Sequence, residues 1–329
     1  MSYDNIRLDK GLYTSSKGFN AALEDIDPSE NYKGTELEGL DAYQRQLKRF
    51  DIKVSGANSD PVSKFFATTD SAALFPEYIS RAVRQGINES NIVEQIVASV
   101  TKVDSLDYRA IESVSNESPN ADDVIIEGAF IPETTIKTKE TLTPLYKRGR
   151  MLTASYEAVK SQKLDIFTVA LKQIGEFISA CQLRDCVRSM MTDDVEIMNF
   201  GDAEKGVQYT DLVKLWNSFN PYNMSTMLVD SQTMANLLNL SEFKDARAGQ
   251  TFHGTGAPIT PMGSQVLCVP MVSGQSIMAL DKRYAVEMVQ FGDIVTDFDR
   301  LIDRQLERAS VTSTVGFSPI FTDAIKVMN

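Results

Sequence analysis

The most regular hydrophobic pattern lies between residues 164 and 191, in LDIFTVALKQIGEFISACQLRDCVRSMM. Apolar side chains recur there every three or four positions, and polar ones such as Gln173 and Glu176 fall outside the stripe. The stripe consists of Phe167, Leu171, Ile174, Ile178 and Cys181. This spacing predicts one long amphipathic helix, on the order of 40 Å at 1.5 Å per residue.

Shorter helical patterns occur on both sides of this segment. In DSAALFPEYISRAVRQG, Pro76 suits a first helical turn, and we expect the helix to stop at Gly86. The segments TDLVKLWNSF and SQTMANLLNL each start with a Thr or Ser that can cap a helix. The sequence therefore predicts three further helices.

Residues 104–150 alternate apolar and polar positions, with a turn-rich interruption at SNESPNADD, and this predicts a long two-stranded hairpin. Residues 104–127 contain seven acids and one base, whereas residues 133–150 contain two acids and five bases. The five bases are Lys137, Lys139, Lys147, Arg148 and Arg150. Strands of opposite charge can pair with each other or contact an oppositely charged neighbouring subunit.

The patterns of STMLVD, QVLCV, SIMAL and RYAVEMV predict short strands. Near the end, ERASVTSTVGF and TDAIKVM are rich in β-formers and are separated by Ser318-Pro319, which predicts a terminal strand pair. Residues 1–70 lack a sustained apolar period, so we interpret them as an extended arm with one short helix around residues 43–50. The predicted fold class is α+β.

Composition narrows the possible functions. Apolar residues are 43% and charged residues 24% of the 329, as in an ordinary folded protein. The net charge of −12 argues against a protein whose main task is to grip nucleic-acid phosphates. Neither a signal segment nor a membrane span is expected. The three cysteines, Cys181, Cys186 and Cys268, have no CxxC spacing and are predicted to be reduced packing residues.

The glycine-rich stretch QTFHGTGAPITPMGS contains the only histidine, His253, but no recognisable catalytic motif. Gly254 and Gly256 could begin a dinucleotide fingerprint, yet Ile259 occupies its third glycine position and Pro258 blocks a following helix. The chain has no Gly-Lys dipeptide for a phosphate loop. One histidine also excludes a multi-histidine metal site, and we interpret it as a loop residue.

Two other groups are candidate chemical sites. The carboxylate pairs Asp122-Asp123, Asp193-Asp194 and Asp297-Asp299 could hold a divalent ion, but such pairs are more often solvated turns. Trp216, with Phe219 and Tyr222, could stack on a base or sugar, but its helical spacing favours the core. We therefore predict no catalytic residue, no metal site and no cofactor, and the residues indicate no enzyme.

The order of these elements resembles that of the major capsid proteins of tailed bacteriophages with the HK97-type fold. The resemblance includes FKDARAGQTFHGTGAPITPMGSQVLCVPMV and IDRQLERASVTSTVGFSPIFTDAIKV. Its local motifs are Lys244-Asp245-Ala246, Gly263 with Val266 to Pro270, and Arg308 to Val327. It covers almost the whole chain by order of elements, although each motif is weak by itself.

The resemblance implies a domain plan. Residues 1–70 would form the N-terminal arm and residues 104–150 the extended loop. The peripheral domain would comprise residues 71–103, residues 151–199 with the long helix, called the spine helix, and the closing strands at 286–329. Residues 200–285 would form the axial domain, with the loop at 250–264 near the five-fold and six-fold axes.

The resemblance also implies partners. Copies of the chain would form hexamers and pentamers of an icosahedral or prolate head around double-stranded DNA, assembled in the bacterial cytoplasm without a membrane. A scaffolding protein, a portal and decoration proteins would be further partners. The expected assembly residues are Lys137, Lys139, Lys147, Arg148, Arg150, His253, Gly254 and Gly256. Lys137 and Lys139 also lie in the loop that carries the crosslinking lysine of some members, but no acceptor asparagine matches.

Exchanging Arg148 and Arg150 for glutamate is expected to impair shell formation and leave the monomer folded. Two alternatives stay open at the sequence level. The first is an encapsulin-like nanocompartment that encloses cargo enzymes. The second is a multidomain binding protein or divergent enzyme, for which the order of elements would be a coincidence.

Overall fold

The structure, a computed structural model, describes residues 3–14, 18–115, 127, 134–192, 194–201, 206–244, 258–270, 272, 276–301 and 303–329. The chain divides into two compact units. Unit 1 comprises Met1–Asn91, Lys147–Ala180 and Asp293–Ser313. Unit 2 comprises Ile92–Tyr146, Cys181–Gly292 and Thr314–Asn329.

The α-helices, in chain order, are α1 (Phe19–Ile26), α2 (Ala42–Arg49), α3 (Thr69–Ala72), α4 (Phe75–Glu89), α5 (Tyr156–Ser161), α6 (Leu164–Met190), α7 (Tyr209–Asn217), α8 (Ser231–Asn239) and α9 (Ser241–Lys244). Within the described ranges, no helix is both long enough and apolar enough to cross a bilayer.

The strands are β1 (Ser99–Val103), β2 (Ile111–Ser115), β3 (Thr134–Thr138), β4 (Leu145–Ser155), β5 (Glu196–Met198), β6 (Thr226–Val229), β7 (Gln265–Cys268), β8 (Ile277–Leu280), β9 (Val286–Leu301), β10 (Leu306–Pro319) and β11 (Ile325–Met328). One sheet has the order β1-β9-β10-β4, and a second has the order β5-β11-β8-β6-β7. Strands β2 and β3 form a separate two-stranded sheet. Helices and sheets thus combine in one α+β fold, as predicted.

The long helix is confirmed as α6, within one residue of its predicted end. Leu171 and Ile178 of its apolar stripe are fully buried, and Phe167 and Ile174 are nearly so. In unit 1 these side chains pack against α4 and the inner face of β10, which contributes Val311. Cys181 and Cys186, further along the helix, are buried free thiols, whereas Cys268 is exposed.

The prediction that helix α4 stops at Gly86 is wrong, because the helix continues to Glu89. Gly86 has a packing role: a Cβ built on it would lie 2.3 Å from the carbonyl oxygen of Lys172 in α6. A Cβ on Gly175 of α6 would likewise lie 2.3 Å from the carbonyl oxygen of Val83. The two glycines therefore allow the helix backbones to touch.

The interpretation of residues 1–70 as an extended arm is wrong for the described residues. Phe19 and Leu23 of α1 and Leu47 of α2 are buried in the same hydrophobic cluster as Ile79 of α4. The predicted short helix is confirmed as α2, and the Asp41 carboxylate caps it by accepting from the Gln44 backbone N–H at 2.8 Å. The apolar residues of this segment show no sustained period in the sequence, because they lie in short helices that are separated by turns.

A buried ion pair also holds this segment together. Arg45 of α2 is fully buried, and its Nε donates to the Asp27 carboxylate at 2.8 Å. Its guanidinium also donates to the Ser29 hydroxyl at 2.8 Å and to the Leu40 carbonyl at 2.7 Å. The guanidinium thus joins the turn after α1 to the start of α2.

The predicted hairpin over residues 104–150 is right only for its inner part. Strands β2 and β3 are antiparallel, but β4 leaves the hairpin and lies next to β10 at the edge of the four-stranded sheet. Leu152 and Ala154 of β4 pack against the core of unit 1. A Cβ on Gly149 would lie 2.3 Å from the Val311 carbonyl oxygen. This contact explains why β4 follows β10 so closely.

The prediction that the two closing segments pair with each other is wrong. Strand β10 lies between β9 and β4, whereas β11 lies between β5 and β8 in the five-stranded sheet. All four residues of β11 are buried, and it pairs parallel with β5 and antiparallel with β8. A strand buried on both faces belongs in the centre of a sheet. A hairpin formed by β10 and β11 alone would leave β11 without a neighbour on its other side.

Candidate functional site

The β2–β3 hairpin exposes apolar surface. Its register places Ile111 opposite Thr138 and Ser113 opposite Ile136, so both isoleucines lie on one face. Ile111 is 51% exposed and Ile136 is 69% exposed. Two strands alone build no hydrophobic core, so this face is available for contact with another molecule.

Hydrogen bonds attach the start and end of the hairpin to the rest of unit 2. The Lys139 ammonium donates to the Pro319 carbonyl at 2.7 Å, and the Tyr108 hydroxyl donates to the Glu287 carboxylate at 2.8 Å. Burial and the neighbouring Glu287 carboxylate raise the pKa of the Tyr108 hydroxyl. The hydroxyl therefore keeps its proton, and its hydrogen bond, at neutral pH.

The structure separates the five predicted bases into two groups. Lys137 and Lys139 belong to the hairpin, and the side chain of Lys137 is exposed. Lys147, Arg148 and Arg150 lie on β4, where Lys147 is exposed and Arg148 is half-buried. The predicted residues therefore do not form one continuous surface on one hairpin.

Arg150 has a partner within unit 1. Its guanidinium carbon lies 3.6 Å from the centre of the Phe177 ring, a cation–π contact with α6. Exchanging Arg150 for glutamate would therefore remove an intrachain contact as well as a surface charge. The exposed lysines Lys137 and Lys147 are better positions for testing contacts between copies.

Several predicted sites lie outside the described residues: His253, Gly254 and Gly256, together with Asp122-Asp123 and Asp193. The described acidic pair Asp297-Asp299 lies on β9. Among the described residues, no group of three or more histidine, cysteine, aspartate or glutamate side chains is arranged to hold a metal ion.

The aromatic group around Trp216 is not a single cluster. Phe219 is buried in the core of unit 2, as predicted, but Trp216 is 49% exposed. Tyr222 instead contacts the rings of Tyr284 and Phe321, with ring centres 5.7 and 6.2 Å away. The prediction that Trp216 is a core residue is therefore wrong, because it lies on the outer side of the α7 stripe formed by Leu212 and Leu215.

Unit 1 contains a cavity of about 750 Å³. The segment from Arg7 to Tyr13, the region around α3 and strands β9 and β10 form its walls. Its lining includes the apolar side chains Leu8 and Phe66 and the acidic residues Asp70 and Asp297. The sequence pattern did not predict it, because its walls come from segments far apart in the chain.

Further apolar side chains of unit 2, close to the hairpin in sequence, are exposed: Leu106, Leu142 and Tyr146. In unit 1, Met151 of β4 is exposed as well. The charge pattern did not predict them. Their signal in the sequence is the apolar member of each alternating pair. Exposed apolar residues next to exposed lysines are typical of surfaces that become buried on association.

No family model matches the chain, and no curated protein is similar to it in sequence. Solved structures are similar in fold. A virus-like particle from Pyrococcus furiosus is 12% identical, with a TM-score of 0.53, over 77% of this chain and 98% of that chain. The holo-SrpI encapsulin complex from Synechococcus elongatus is 13% identical, with a TM-score of 0.51, over 72% of this chain and 86% of that one.

The capsid of the cyanophage P-SCSP1u is 13% identical, with a TM-score of 0.50, over 72% of this chain and 87% of that chain. At these identities the similarity concerns the fold. It confirms the resemblance to capsid proteins with the HK97-type fold. The similar structures come from a virus-like particle, an encapsulin complex and a phage capsid.

Proposed function

We propose that this chain is the major capsid protein of a tailed bacteriophage, which assembles with copies of itself into a head that encloses double-stranded DNA. Its role is structural and involves no turnover. The HK97-type fold supports a shell protein. The net charge of −12 supports a container in which DNA can move without adhering to the wall.

The observation that carries the proposal is the β2–β3 hairpin. Its isoleucine face is exposed in the single chain, and its start and end are attached to unit 2 by hydrogen bonds. An apolar ribbon held in place but lacking a core of its own is suited to lie on a neighbouring copy. Repeated in every copy, such contacts would make assembly cooperative.

The domain plan belongs to the proposal. Residues 71–103, 151–199 and 286–329 would form the peripheral domain, residues 200–285 the axial domain and residues 104–150 the extended loop. Residues 1–70 keep the position of the N-terminal arm, although their described part is folded. The loop with His253, Gly254 and Gly256 would lie near the symmetry axes. A scaffolding protein, a portal, decoration proteins and assembly in the host cytoplasm complete the proposal.

An encapsulin-like shell around cargo enzymes is the second candidate. The similarity to the SrpI encapsulin complex favours it, because the TM-score matches that of the phage capsid within 0.01. The two candidates differ in what the particle contains. Nucleic acid inside purified particles would support a capsid, and cargo protein would support an encapsulin.

Exchanging both Lys137 and Lys147 for glutamate is expected to lower the yield of shells about tenfold. Each exposed ion pair contributes only about 0.2–1 kcal/mol, but a charge reversal at two positions is repeated in every copy of the shell. The subunit should keep its melting temperature, since both side chains are exposed. Particle yield is measured by sedimentation and negative-stain microscopy.

A matched control exchanges Lys33 and Lys282 for glutamate. Both are exposed bases outside the hairpin and β4, and the double exchange changes the net charge by the same amount. This variant should assemble like the parent. If the Lys137 and Lys147 variant gives the same particle yield as the parent, or if both variants lose yield equally, these lysines are not part of the proposed interface.

A further inference from the structure

We infer that two polar contacts in unit 2 orient the hairpin and thereby determine the curvature of the shell. We call them the root contacts: Tyr108 with Glu287, and Lys139 with Pro319. The inference rests on the proposed function, because curvature has meaning only for a shell. The contacts themselves lie within one subunit, so part of the inference can be tested without assembly.

The first root contact joins the entrance of the hairpin to strand β9. Glu287 is only 6% exposed, and its Oε1 accepts from the Tyr108 hydroxyl at 2.8 Å and from the Thr101 hydroxyl of β1. Burying a carboxylate costs free energy unless hydrogen bonds replace its water. Two hydroxyl donors converging on one buried oxygen therefore fix the position of Tyr108 more narrowly than apolar packing would.

The second root contact joins the exit of the hairpin to the end of β10. The Lys139 ammonium donates to the Pro319 carbonyl at 2.7 Å, and the Ser318 hydroxyl lies 3.5 Å away. A lysine with a charge-assisted bond to a backbone carbonyl is a directional attachment. Lys137, two residues earlier on the same strand, is exposed instead. The ammonium of Lys139 is thus used inside the subunit.

The two contacts lie on the two segments that flank the hairpin, since Tyr108 precedes β2 and Lys139 follows β3. Two backbone hydrogen bonds join these segments, from the Lys139 N–H to the Ala110 carbonyl and from the Thr143 N–H to the Tyr108 carbonyl. One attachment would leave the ribbon free to rotate about it, whereas two define a direction.

Small rotations at the root have large effects at the tip. The described strands are five residues long, roughly 17 Å at about 3.4 Å per residue, so that a rotation of about 10° would move their far end by roughly 3 Å. A shift of this size breaks hydrogen bonds, whose useful range is narrower. Copies with a freely rotating hairpin would therefore meet at variable angles and close into shells of variable size.

The test uses Lys139→Met and Tyr108→Phe in the full chain. In the unassembled subunit, amides of β2 and β3 should exchange hydrogen about tenfold faster in each variant, as expected for loss of one strong hydrogen bond. The variant particles should have a broader diameter distribution than the parent. Lys139→Arg keeps a donor and should restore both properties.

The controls are Lys214→Met and Tyr209→Phe, which change the same residue types on α7 of unit 2, away from the root contacts. Both should behave like the parent. Parental exchange rates and uniform parental diameters in the Lys139 and Tyr108 variants would overturn the inference. If the parent itself forms no particles, the proposed function fails, and parental exchange rates in the variants would still refute the root contacts separately.

Discussion

Replacing Gly175 by alanine is expected to destabilise unit 1 by about 3 kcal/mol, because overpacking against a rigid neighbour costs this much. The added Cβ would lie 2.3 Å from the Val83 carbonyl oxygen and 2.7 Å from the Ile87 backbone nitrogen. Both atoms belong to the backbone of α4, so no side chain can rotate away. The higher helix propensity of alanine stabilises the helix by only about 1 kcal/mol, which is less than the cost of the clash.

The measurement is chemical denaturation of the unassembled subunit, followed by circular dichroism. Gln173→Ala is the matched control, since it lies on the exposed side of the same helix and should change stability by less than about 0.5 kcal/mol. Gly86→Ala should reproduce the loss from the other helix. A Gly175→Ala protein as stable as the parent would show that α4 and α6 are not in backbone contact.

Asp27→Ala is expected to destabilise unit 1 by about 3–5 kcal/mol, the usual cost of removing one member of a buried ion pair. The Arg45 guanidinium would lose its charge partner while its side chain stays fully buried. Glu24, whose carboxylate lies 3.6 Å from Arg45, is partly exposed and replaces Asp27 poorly. The loss should appear first as faster proteolysis between α1 and α2.

The control is Glu89→Ala, which breaks the Lys172–Glu89 ion pair at the same distance of 2.8 Å. Half of the Glu89 side chain is exposed, so the expected loss is below about 1 kcal/mol. The double variant Asp27→Leu with Arg45→Met should recover part of the stability, because it leaves no buried charge. Equal effects of Asp27→Ala and Glu89→Ala would contradict a special role of the buried pair.

The sequence predicted best where one period continues over many residues. Helix α6 was found to within one residue because its apolar stripe, from Phe167 to Cys181, repeats over about four turns. Residues 1–70 were misjudged because helices of eight residues, such as α1 and α2, repeat too few times to show a period. The Asp27–Arg45 pair had no local signal, since its members are 18 positions apart.

Strand pairing was predicted less well than strand position. The segments that became β4, β10 and β11 were all recognised as strands, but the partners of each were wrong. Alternation shows that a segment is extended, and it does not show which strand lies beside it. Gly149 was the available clue, since a glycine within a strand often marks a close backbone approach.

The candidate site was predicted in part. Charge asymmetry identified the bases around the hairpin, but charge alone could not separate Lys137, which is exposed, from Lys139, which donates to a carbonyl of its own chain. Nor could it show that Arg150 covers the Phe177 ring. These distinctions depend on residues more than 25 positions away, which only the folded chain brings together.

The central claim, that this chain forms a closed shell, is tested most directly by the mass and appearance of its particles. The full chain would be produced alone and together with the genes beside it, and examined by mass photometry and negative-stain microscopy. We expect closed shells roughly tens of nanometres wide, because a shell with icosahedral symmetry contains at least about sixty copies of its subunit. Material that stays near the 36.5 kDa monomer, or near a small oligomer, in both preparations would contradict the account.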